Sequence, residues 1–548
     1  MPGKASRIAV LAAILALYAV WSASSWSAAD FGYLHDDSLY LSSARALAEG
    51  RGYIIPSVPT DPPQNKYPIG YPFLLSLLWR IEPDLPGLLR LIFGTHILLG
   101  CGFLLAAYSL LRQLGQGPRS SLALTAVCAL HPGIGDVTRF ALSDLPFMFL
   151  ALGSAVAAEK ALREDAPNRW LTRWWAAAAV LACGAILTRS IAVAIVAGIF
   201  FAAVVRRAPK PAALYAAICA AVFFASSDAP PGSGSPAQGY SGYEQTLLFY
   251  TDYIGFWRFS VPDWATLAKQ LEFNGMQILK APAYLCFFLP VLGFASGGLQ
   301  ATGIVLTVGI VRGLFRGVSR TTFHPVMGAL FCYLPVVLLW NYSLADRFLL
   351  LFVPLLYHGA AVEIGSVLAP MRELLKPGGE TGQRIAAGIL STLIVILLGY
   401  AAYRCLWEIP AGTREANAER AALLQQKQQA YDWLRKNSEA GDRLIAYEDV
   451  VAYLSTGRQG MRPIAPSTAS FYLQDREALQ PDLDRLGDTA RAIEARYWLA
   501  SPDDYQLEHA DTYLKEATAE LLDDAPVAFK SHDGRVLVYE IRAALLAR

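Results

Sequence analysis

The chain has little charge, and the shortage is uneven. Of its 548 residues, 17% are Asp, Glu, Lys or Arg, whereas 54% are hydrophobic. Soluble globular proteins carry about 25% charged residues, so this composition argues against a wholly soluble enzyme. The charged fraction is about 12% over residues 1–403 and about 29% over residues 404–548. The difference predicts a membrane-embedded domain, 1–403, followed by a water-soluble domain, 404–548.

The sequence also lacks excess basic charge, paired cysteines and several common catalytic motifs. A net charge of +1 gives no basic surface of the kind that nucleic acid requires, so we expect no nucleic-acid partner. The seven Cys lie in or beside apolar runs without a CxxC pair, which argues against a disulfide framework or a zinc cluster. No HExxH, GxSxG, Walker or Rossmann spacing occurs, so metalloprotease, hydrolase and nucleotide-binding functions lose support.

Long apolar runs fill residues 1–403. A spanning helix needs about 20 mostly apolar residues, and we predict about eleven of them. The first, Ile8 to Ala29, follows Lys4 and Arg7 and could be a signal peptide, but it exceeds the usual apolar length of about 7–15 residues, which favours a retained helix. The other predicted spans are 88–111, 120–135, 141–159, 174–188, 190–205, 211–226, 282–311, 325–341, 348–366 and 385–403.

Lys and Arg are distributed unevenly between alternate loops. With the N-terminus inside, fifteen of them lie in the inside loops, whereas the outside segments 30–87, 132–140 and 227–281 are longer in total and carry eight. The positive-inside rule then places the first loop outside and, through an odd number of crossings, the C-terminal domain too. This pattern is typical of a bacterial inner-membrane protein whose outer side faces the periplasm.

The first outside loop, 30–87, is the most informative segment. Asp36 and Asp37 directly follow the first span and open a predicted amphipathic helix at the membrane interface, which ends at Gly50. The helix dipole favours carboxylates at this end, so one Asp could simply cap the helix. Two adjacent carboxylates repel each other unless a cation, a proton or a substrate shares the site. A functional pair and a simple cap both remain open.

Farther along the same loop, Lys66 lies in an aromatic and Pro-rich run from Asn65 to Leu75. A lone Lys near a membrane surface could extend its ammonium toward the lipid head groups. It is also well placed to bind an anionic phosphate.

These motifs resemble the GT-C superfamily of membrane glycosyltransferases. Its signature is an acidic pair directly after the first span, a Tyr-rich amphipathic helix, a Gly-x-Gly-Tyr element and a YPxGYP element, matched here from Asp36 to Pro72. The resemblance continues at Arg139 to Pro146, at Leu187-Thr188-Arg189 and at Asp346 to Pro354. The superfamily includes protein O-mannosyltransferases and the bacterial transferase that adds aminoarabinose to lipid A, which use polyprenyl-phosphate sugars on the outer face of the membrane.

The resemblance implies a polytopic α-helical membrane protein of GT-C type, with about eleven transmembrane helices and interfacial helices in the first outside loop, plus a C-terminal soluble α/β domain. It implies transfer of a sugar from a polyprenyl-phosphate donor to a hydroxyl acceptor (a lipid, a glycan or a protein), with inversion if a single displacement occurs. Asp36 would be the catalytic base, and Asp37 its partner, which orients the site or binds a metal.

The departing polyprenyl phosphate needs positive charge to stabilise it. Lys66 and Arg347 are candidate phosphate ligands, and Tyr40 and Tyr67 are candidate substrate-binding residues. Arg139 could bind phosphate or pair with an acid. Arg347 could instead anchor its helix at the membrane interface.

A divalent cation such as Mg²⁺, Mn²⁺ or Zn²⁺ is a further expectation. Asp144 opens a predicted span, where a carboxylate is costly unless it is paired or functional; it could cap its helix, pair with Arg139 or join Asp36 and Asp37 around the metal. His131 could also touch the metal, although a lone His is more often structural.

Two outside parts remain. Segment 227–281 combines a Pro-, Gly- and Ser-rich run with many aromatic residues, and could form an interfacial belt or a lid over the substrates. In the C-terminal domain we predict a helix over Thr413 to Asn437, strands over 443–447 and 495–499, and a hairpin over 528–539 with an Asp-Gly turn. This small α/β domain could recognise the acceptor or cover the membrane domain.

Two other functions remain possible on the sequence alone. A transporter or flippase of lipid-linked sugars would suit charges between half-helices, but no inverted repeat is visible and transport does not require an acidic pair at the surface. A non-catalytic membrane scaffold, whose C-terminal domain binds a partner, is the third alternative.

Overall fold

Helices form most of the molecule, as the long apolar runs predict. The computed structural model describes residues 4–164, 170, 172–226, 241–261, 263–290, 296–319, 321–341, 346–375, 381–473, 476–506 and 511–541. In the membrane domain the helices are α1 (Lys4–Ser25), α2 (Asp36–Ala48), α3 (Gly70–Ile81), α4 (Leu85–Gln113), α5 (Pro118–Ala129), α6 (Pro132–Arg139), α7 (Asp144–Leu162), α8 (Arg173–Thr188), α9 (Ala192–Val205), α10 (Pro209–Ser226), α11 (Gly242–Thr251), α12 (Tyr253–Ser260), α13 (Trp264–Phe287), α14 (Gly297–Phe315), α15 (Pro325–Leu338), α16 (Val353–Leu374) and α17 (Thr381–Tyr403).

Among the described residues, seven helical stretches are long and apolar enough to cross a membrane. They contain α1, α4, α7, α10, α14, α16 and α17, and the shorter helices α8, α9 and α15 are apolar as well. The protein is therefore an integral membrane protein. Helix α7 is almost entirely buried, which places it at the centre of the bundle, whereas α17 exposes most of its apolar side chains.

Two predicted spans are wrong. The predicted span 282–311 is two helices, since α13 ends at Phe287 and α14 begins at Gly297; Phe288 terminates α13 in the left-handed region with φ 53°. The predicted span 120–135 stops at Ala129, and Pro132 starts a separate helix, α6, because proline disfavours helical backbone at the residue before it. The split of 174–205 into half-helices α8 and α9 around Arg189 is confirmed.

Small residues allow one very close helix contact. A Cβ at Gly198 in α9 would overlap the backbone of Gly328 and Ala329 in α15. Glycine at this contact lets the two helix backbones approach directly, as small residues often do between helices in membranes. The contact lies near the start of α15, and the opposite end of this helix lines the site described below.

A long helix leads from the membrane domain into the C-terminal domain. Helix α17 continues through a π-helical turn, Arg404–Glu408, into α18 (Ile409–Asn437). The predicted helix from Thr413 to Asn437 is thus the larger part of α18. The remaining elements are β1 (Leu444–Ala446), α19 (Asp449–Thr456), β2 (Gly460–Met461), α20 (Thr468–Leu473), α21 (Arg476–Leu483), α22 (Asp488–Ala492), β3 (Tyr497–Ala500), α23 (Asp511–Leu522), β4 (Val527–Lys530) and β5 (Leu537–Glu540).

The five strands form one sheet in the order β2-β1-β3-β5-β4. Strand β1 is parallel to both β2 and β3, whereas β5 is antiparallel to β3 and β4. The predicted hairpin is confirmed as β4 and β5, and Gly534 in its turn has φ 76°, a conformation that glycine adopts without strain. The predicted α/β domain is therefore present.

The first loop and the C-terminal domain pack against each other. Leu39, Ile55 and Val58 of the first loop share one hydrophobic cluster with Tyr250 of α11 and with strand residues such as Trp498. We call the side of the membrane domain that carries the first loop, α11, α12 and the C-terminal domain the loop face. Burial of shared apolar surface makes these parts one unit.

Candidate functional site

The site is built around the start of α2. His35, the residue before the helix, has φ 58° and ψ −44°, which is strained for a residue with a Cβ. Its ring is buried, and Nε2 lies 3.3 Å from Asp449 Oδ1 at the start of α19. The C-terminal domain thus contacts the turn that presents Asp36.

Asp36 is a partly buried, ionised carboxylate. Its Oδ1 accepts a hydrogen bond of 2.7 Å from the Tyr67 hydroxyl, and its Oδ2 accepts one of 3.1 Å from Arg347 Nη2. Burial raises the pKa of Asp36, but Arg347, Lys66 and the Tyr67 hydroxyl together lower it further, so that the pKa lies below the ordinary 3.8. The carboxylate is therefore available as a proton acceptor throughout the physiological pH range.

Asp37 has a different environment. It is fully buried, and its two oxygens accept hydrogen bonds from the backbone N–H groups of Gly32 (2.9 Å) and Ser38 (2.7 Å). Burial raises the pKa of Asp37 to about 7, although these two N–H groups oppose the rise. Asp37 therefore holds the loop before α2 in place, and the alternative of a backbone-capping role applies to this residue rather than to Asp36.

Two cations of the predicted site lie beside Asp36. Arg347 stands in a short 3₁₀ turn, Asp346–Phe352, before α16. Besides the Nη2 bond to Asp36, its Nε and Nη1 are buried and have no hydrogen-bond partner among the described residues. Lys66 is buried, with Nζ 3.8 Å from the ring centroid of Phe249, and burial lowers the pKa of Lys66 to about 7. An anion at this position would satisfy the guanidinium and favour the ammonium form of Lys66.

The two predicted tyrosines also come together. Tyr40, one turn along α2 from Asp36, exchanges a hydrogen bond of 2.9 Å with Ser143 Oγ. Its ring centroid lies 4.6 Å from that of Tyr67. The two rings form a wall beside the carboxylate.

Asp144 and Arg139 do not join this group as expected. Asp144 Oδ2 lies 2.6 Å from Arg189 Nη1, between the half-helices α8 and α9; the predicted pairing of Asp144 with Arg139 is wrong. Arg139 instead contacts Asp30 at 2.8 Å and Asn417 of α18 at 3.0 Å. It lies at the junction with the C-terminal domain and outside the cavity that Asp36 lines.

The expected convergence of Asp36, Asp37 and Asp144 on a metal is not found. Within the described ranges, no three His, Cys, Asp or Glu side chains gather as metal ligands. One oxygen each of Asp36 and Asp144 faces an arginine, the other oxygen of Asp36 faces the Tyr67 hydroxyl, and both oxygens of Asp37 face backbone N–H groups. This donor set does not fit a divalent cation, because cations, a hydroxyl and N–H groups already occupy most of its oxygens. His131 caps α6 and bonds the Leu285 carbonyl, which is a structural role.

A cavity of about 390 Å³ opens at Asp36. This volume lies within the range of about 300–1,000 Å³ for small-molecule sites. One part is polar and the other is apolar. The residues that line it are Asp36, Tyr40, Lys66, Tyr67, Pro68, Thr188, Arg189, Ser190, Ile191, Ile254, Trp257, Val336, Leu339, Trp340, Asn341, Arg347 and Phe348. The arrangement suits an amphipathic ligand with an anionic group.

Some lining residues were not predicted. Trp257 of α12 belongs to the aromatic segment 227–281, whose lid role was one alternative, so composition gave a partial signal. Residues 227–240 of that segment lie outside the described residues. Asn341, just after α15, has no motif around it that would have marked it. Asp449 is more than 400 residues from Asp36 in sequence, and only the fold shows their relation.

Comparisons with known proteins agree with this architecture. Residues 91–217 match the family model of dolichyl-phosphate-mannose-protein mannosyltransferases. No curated protein matches the chain.

Among solved structures, the archaeal oligosaccharyltransferase AglB from Archaeoglobus fulgidus, in complex with an inhibitory peptide and a dolichol-phosphate, is 14% identical, with a TM-score of 0.54 over 96% of this chain and 74% of that one. Its apo form is 14% identical, with a TM-score of 0.53 over 91% and 70%. ArnT from Cupriavidus metallidurans bound to undecaprenyl phosphate is 14% identical, with a TM-score of 0.49 over 98% of both chains.

AglB and ArnT are both GT-C glycosyltransferases. The likeness to AglB shows that the chain has the GT-C fold, and the match to the mannosyltransferase model falls within the same membrane domain. The resemblance drawn from the first loop is therefore confirmed.

Proposed function

We propose that the protein is a GT-C-type glycosyltransferase that moves a sugar from a polyprenyl-phosphate donor to a hydroxyl acceptor on the outer face of the membrane. One observation carries this proposal. A single cavity joins a partly buried, ionised carboxylate, Asp36, to Arg347, whose buried Nε and Nη1 have no partner among the described residues, and to an apolar wall. These are the base, the phosphate ligand and the lipid contact that the reaction needs.

The donor fits the cavity by its two chemical parts. Val336, Leu339 and Phe348 offer an apolar surface to the first isoprene units. The phosphate lies against Arg347, whose Nε and Nη1 donate to its oxygens, and against Lys66. AglB was solved with a dolichol-phosphate, and ArnT with undecaprenyl phosphate; those proteins bind the lipid phosphate class that we propose here.

The chemical step is a single displacement at the anomeric carbon. The acceptor oxygen forms a bond to that carbon as the bond from the carbon to the phosphate oxygen breaks, and the bonding electrons leave with the polyprenyl phosphate. Asp36 takes the proton of the acceptor hydroxyl. The hydroxyl becomes strongly acidic as its new bond forms, so a carboxylate of low pKa is a sufficient base. One displacement inverts the anomeric configuration.

Arg347 links donor binding to the base. In this structure Nη2 of Arg347 donates to Asp36, and the phosphate competes for the same guanidinium. When Arg347 turns toward the phosphate, Asp36 loses part of its stabilising charge and becomes a stronger base. The developing negative charge on the leaving phosphate stays next to Arg347 and Lys66.

Reconstituted protein tests the proposal directly. Purified full-length protein in nanodiscs is incubated with radiolabelled polyprenyl-phosphate sugars and with lipid, glycan and peptide acceptors. We expect transfer by the wild type and a loss of about 10²–10⁴-fold in Asp36→Asn, the usual contribution of a general base. Glu49→Gln, an exposed change at the C-cap of α2, is the matched control and should keep full activity. Equal transfer by Asp36→Asn would refute the role of the base, and translocation of the lipid without transfer would favour the flippase.

The outer, periplasmic side of a bacterial inner membrane is part of the same proposal. The concentration of Lys and Arg in the opposite loops supports it. Cysteine-substituted variants of exposed residues on the loop face, such as Glu49, should react with a membrane-impermeant maleimide in intact spheroplasts. Labelling that requires lysis would place the loop face in the cytoplasm.

A further inference from the structure

Two polar side chains in the cavity have buried atoms without partners. Asn341 is 3% exposed, and its Oδ1 is buried with no hydrogen-bond partner among the described residues. The same holds, within the described chain, for Nε1 of Trp257. Both residues line the cavity of Asp36 and Arg347. Buried polar groups normally have partners, so these two atoms point to a ligand that supplies them.

The two groups are chemically complementary. The Asn341 oxygen accepts a hydrogen bond, whereas the indole N–H of Trp257 only donates. A hydroxyl can do both, and a sugar ring carries several hydroxyls on adjacent carbons. The flat indole also offers an apolar face to the C–H groups of such a ring. This combination matches the sugar of the donor better than its lipid or its phosphate.

The backbone beside Asn341 is held in place. The carbonyl of Trp340 accepts hydrogen bonds from Gln270 (2.7 Å) and Asn274 (3.0 Å) of α13, and from the Tyr472 hydroxyl (2.9 Å) of the C-terminal domain. The Trp340 ring also packs 5.0 Å from the ring of Phe348, the neighbour of Arg347. These contacts hold the Asn341 oxygen as a fixed hydrogen-bond acceptor near Arg347. A polar group held in place in this way can select among ligands.

The charge of the cavity limits the sugar. Asp36 is the only acid among the described lining residues, and in the proposed reaction it must be free to take the proton of the acceptor hydroxyl. A cationic amino sugar would therefore lack a carboxylate of its own. Arg189 forms an ion pair with Asp144, and in the proposed complex Arg347 and Lys66 neutralise Asp36 and the donor phosphate. The carboxylate of a uronic acid would therefore find no cation to pair with among the described lining residues.

We propose that Asn341 and Trp257 form the subsite for the sugar of the donor, and that this sugar is uncharged. The inference rests on the proposed function, because it concerns the same cavity and the same donor. It assigns specificity to two residues that the transfer chemistry itself does not use.

Three donors that share one polyprenyl phosphate test the charge of the sugar. They carry a neutral hexose, a 4-amino-4-deoxypentose and a hexuronic acid. We expect kcat/KM for the neutral hexose donor to exceed kcat/KM for each charged donor by about 100-fold, which is the effect of leaving a buried charge unpaired. A charged donor used as well as the neutral hexose donor would overturn the inference while leaving the transferase intact. If no donor transfers its sugar, the proposed function fails and the inference falls with it.

Variants test the two residues. Asn341→Leu should raise KM for the neutral donor about 10-fold or more, and Trp257→Phe, which keeps a ring but loses the N–H, about 5-fold. Asn341→Asp supplies a carboxylate that can pair with an amino group. The ratio of kcat/KM for the neutral donor to kcat/KM for the amino-sugar donor should therefore fall about 10-fold or more. The exposed Trp264 provides the matched control, Trp264→Phe, which should leave KM unchanged.

Binding of the sugar-free product separates recognition from folding. Polyprenyl phosphate lacks the sugar, so its Kd should be unchanged in Asn341→Leu and Trp257→Phe if both residues contact only the sugar. A parallel loss of polyprenyl phosphate binding would show a structural role and overturn the assignment. Unchanged KM for the neutral donor in both variants would overturn it too.

Discussion

The pH dependence of transfer should reveal the pairing between Arg347 and Asp36. Arg347→Gln keeps a hydrogen-bonding side chain of similar length but removes the positive charge 3.1 Å from the carboxylate. A neighbouring arginine lowers the pKa of a carboxylate by about 1–3 units, and the burial that raises the pKa of Asp36 remains. The pKa of Asp36 should therefore rise in this variant from its position below the ordinary 3.8.

The quantity to measure is kcat/KM against pH, because it reports ionisations of the free enzyme. A base acts only when deprotonated, so activity is lost as the pH falls through its pKa. The wild type should be flat across the physiological range, whereas Arg347→Gln should lose activity at a higher pH than the wild type does. Tyr67→Phe removes a neutral hydrogen-bond donor from the same carboxylate and is the matched comparison. The acidic limb of its pH profile should shift by about 1 pH unit or less, which corresponds to the loss of one hydrogen bond.

Loss of the phosphate ligand will also lower kcat/KM of Arg347→Gln at every pH. The position of the acidic limb, rather than the height of the profile, is thus the decisive result. A profile that is uniformly lower with its limb unmoved would refute Asp36 as the titrating base. A shift in Tyr67→Phe as large as in Arg347→Gln would show that charge is not the cause.

Three other predictions concern the metal and the loop face. Transfer should survive exhaustive chelation, because most oxygens of the expected metal site are engaged; a loss restored by one added metal would contradict this. Burial raises the pKa of Asp449 from 3.8 to about 7, so its stabilising contribution is complete below pH 3.8 and is lost as the pH rises through 7. The free energy of unfolding of the wild type should therefore fall by up to about 4 kcal/mol between pH 4 and 8 because of this residue. Asp449→Asn should remove that fall, and an undiminished fall on denaturant titration would disprove the prediction. Asp30→Asn removes the counter-charge that the buried Arg139 shares with the partly buried Arg420, while Arg139 keeps Asp136 at 3.1 Å. The variant should destabilise the junction with α18 by about 1–3 kcal/mol, and limited proteolysis at wild-type rates would contradict this.

Local sequence patterns were enough to predict much of this protein. The alternation in the C-terminal domain identified β1, β3 and the hairpin of β4 and β5, whereas the domain boundary that the charge contrast indicates stays a prediction. In the first loop, α2 starts at Asp36 and is followed by Gly50 with φ 77°, as the amphipathic pattern predicted. These features depend on neighbours within a few residues, which is the range over which periodicity and capping act.

Other features depend on partners that are distant in sequence. The environments of Asp36 and Asp37 differ because Asp36 faces Arg347, whereas Asp37 faces the backbone of its own loop. The Asp-Asp sequence alone does not distinguish the two residues. Asp144 pairs with Arg189 rather than Arg139 because α7 packs against the half-helices. The break between α13 and α14 was missed because apolar residues on both sides join into one continuous run.

The contact between His35 and Asp449 has a consequence for biosynthesis. The two residues are 414 positions apart in sequence, so at about 5–20 residues per second the ribosome needs about 20–80 s after His35 to make Asp449. During that time the helix that bears Asp36 is anchored beside its first span, while Leu39 and Val58 lack the apolar surface that finally covers them. A nascent chain of this protein would therefore insert into the membrane well before its first loop is covered, and release from the ribosome short of α19 would leave this loop without its contact to Asp449.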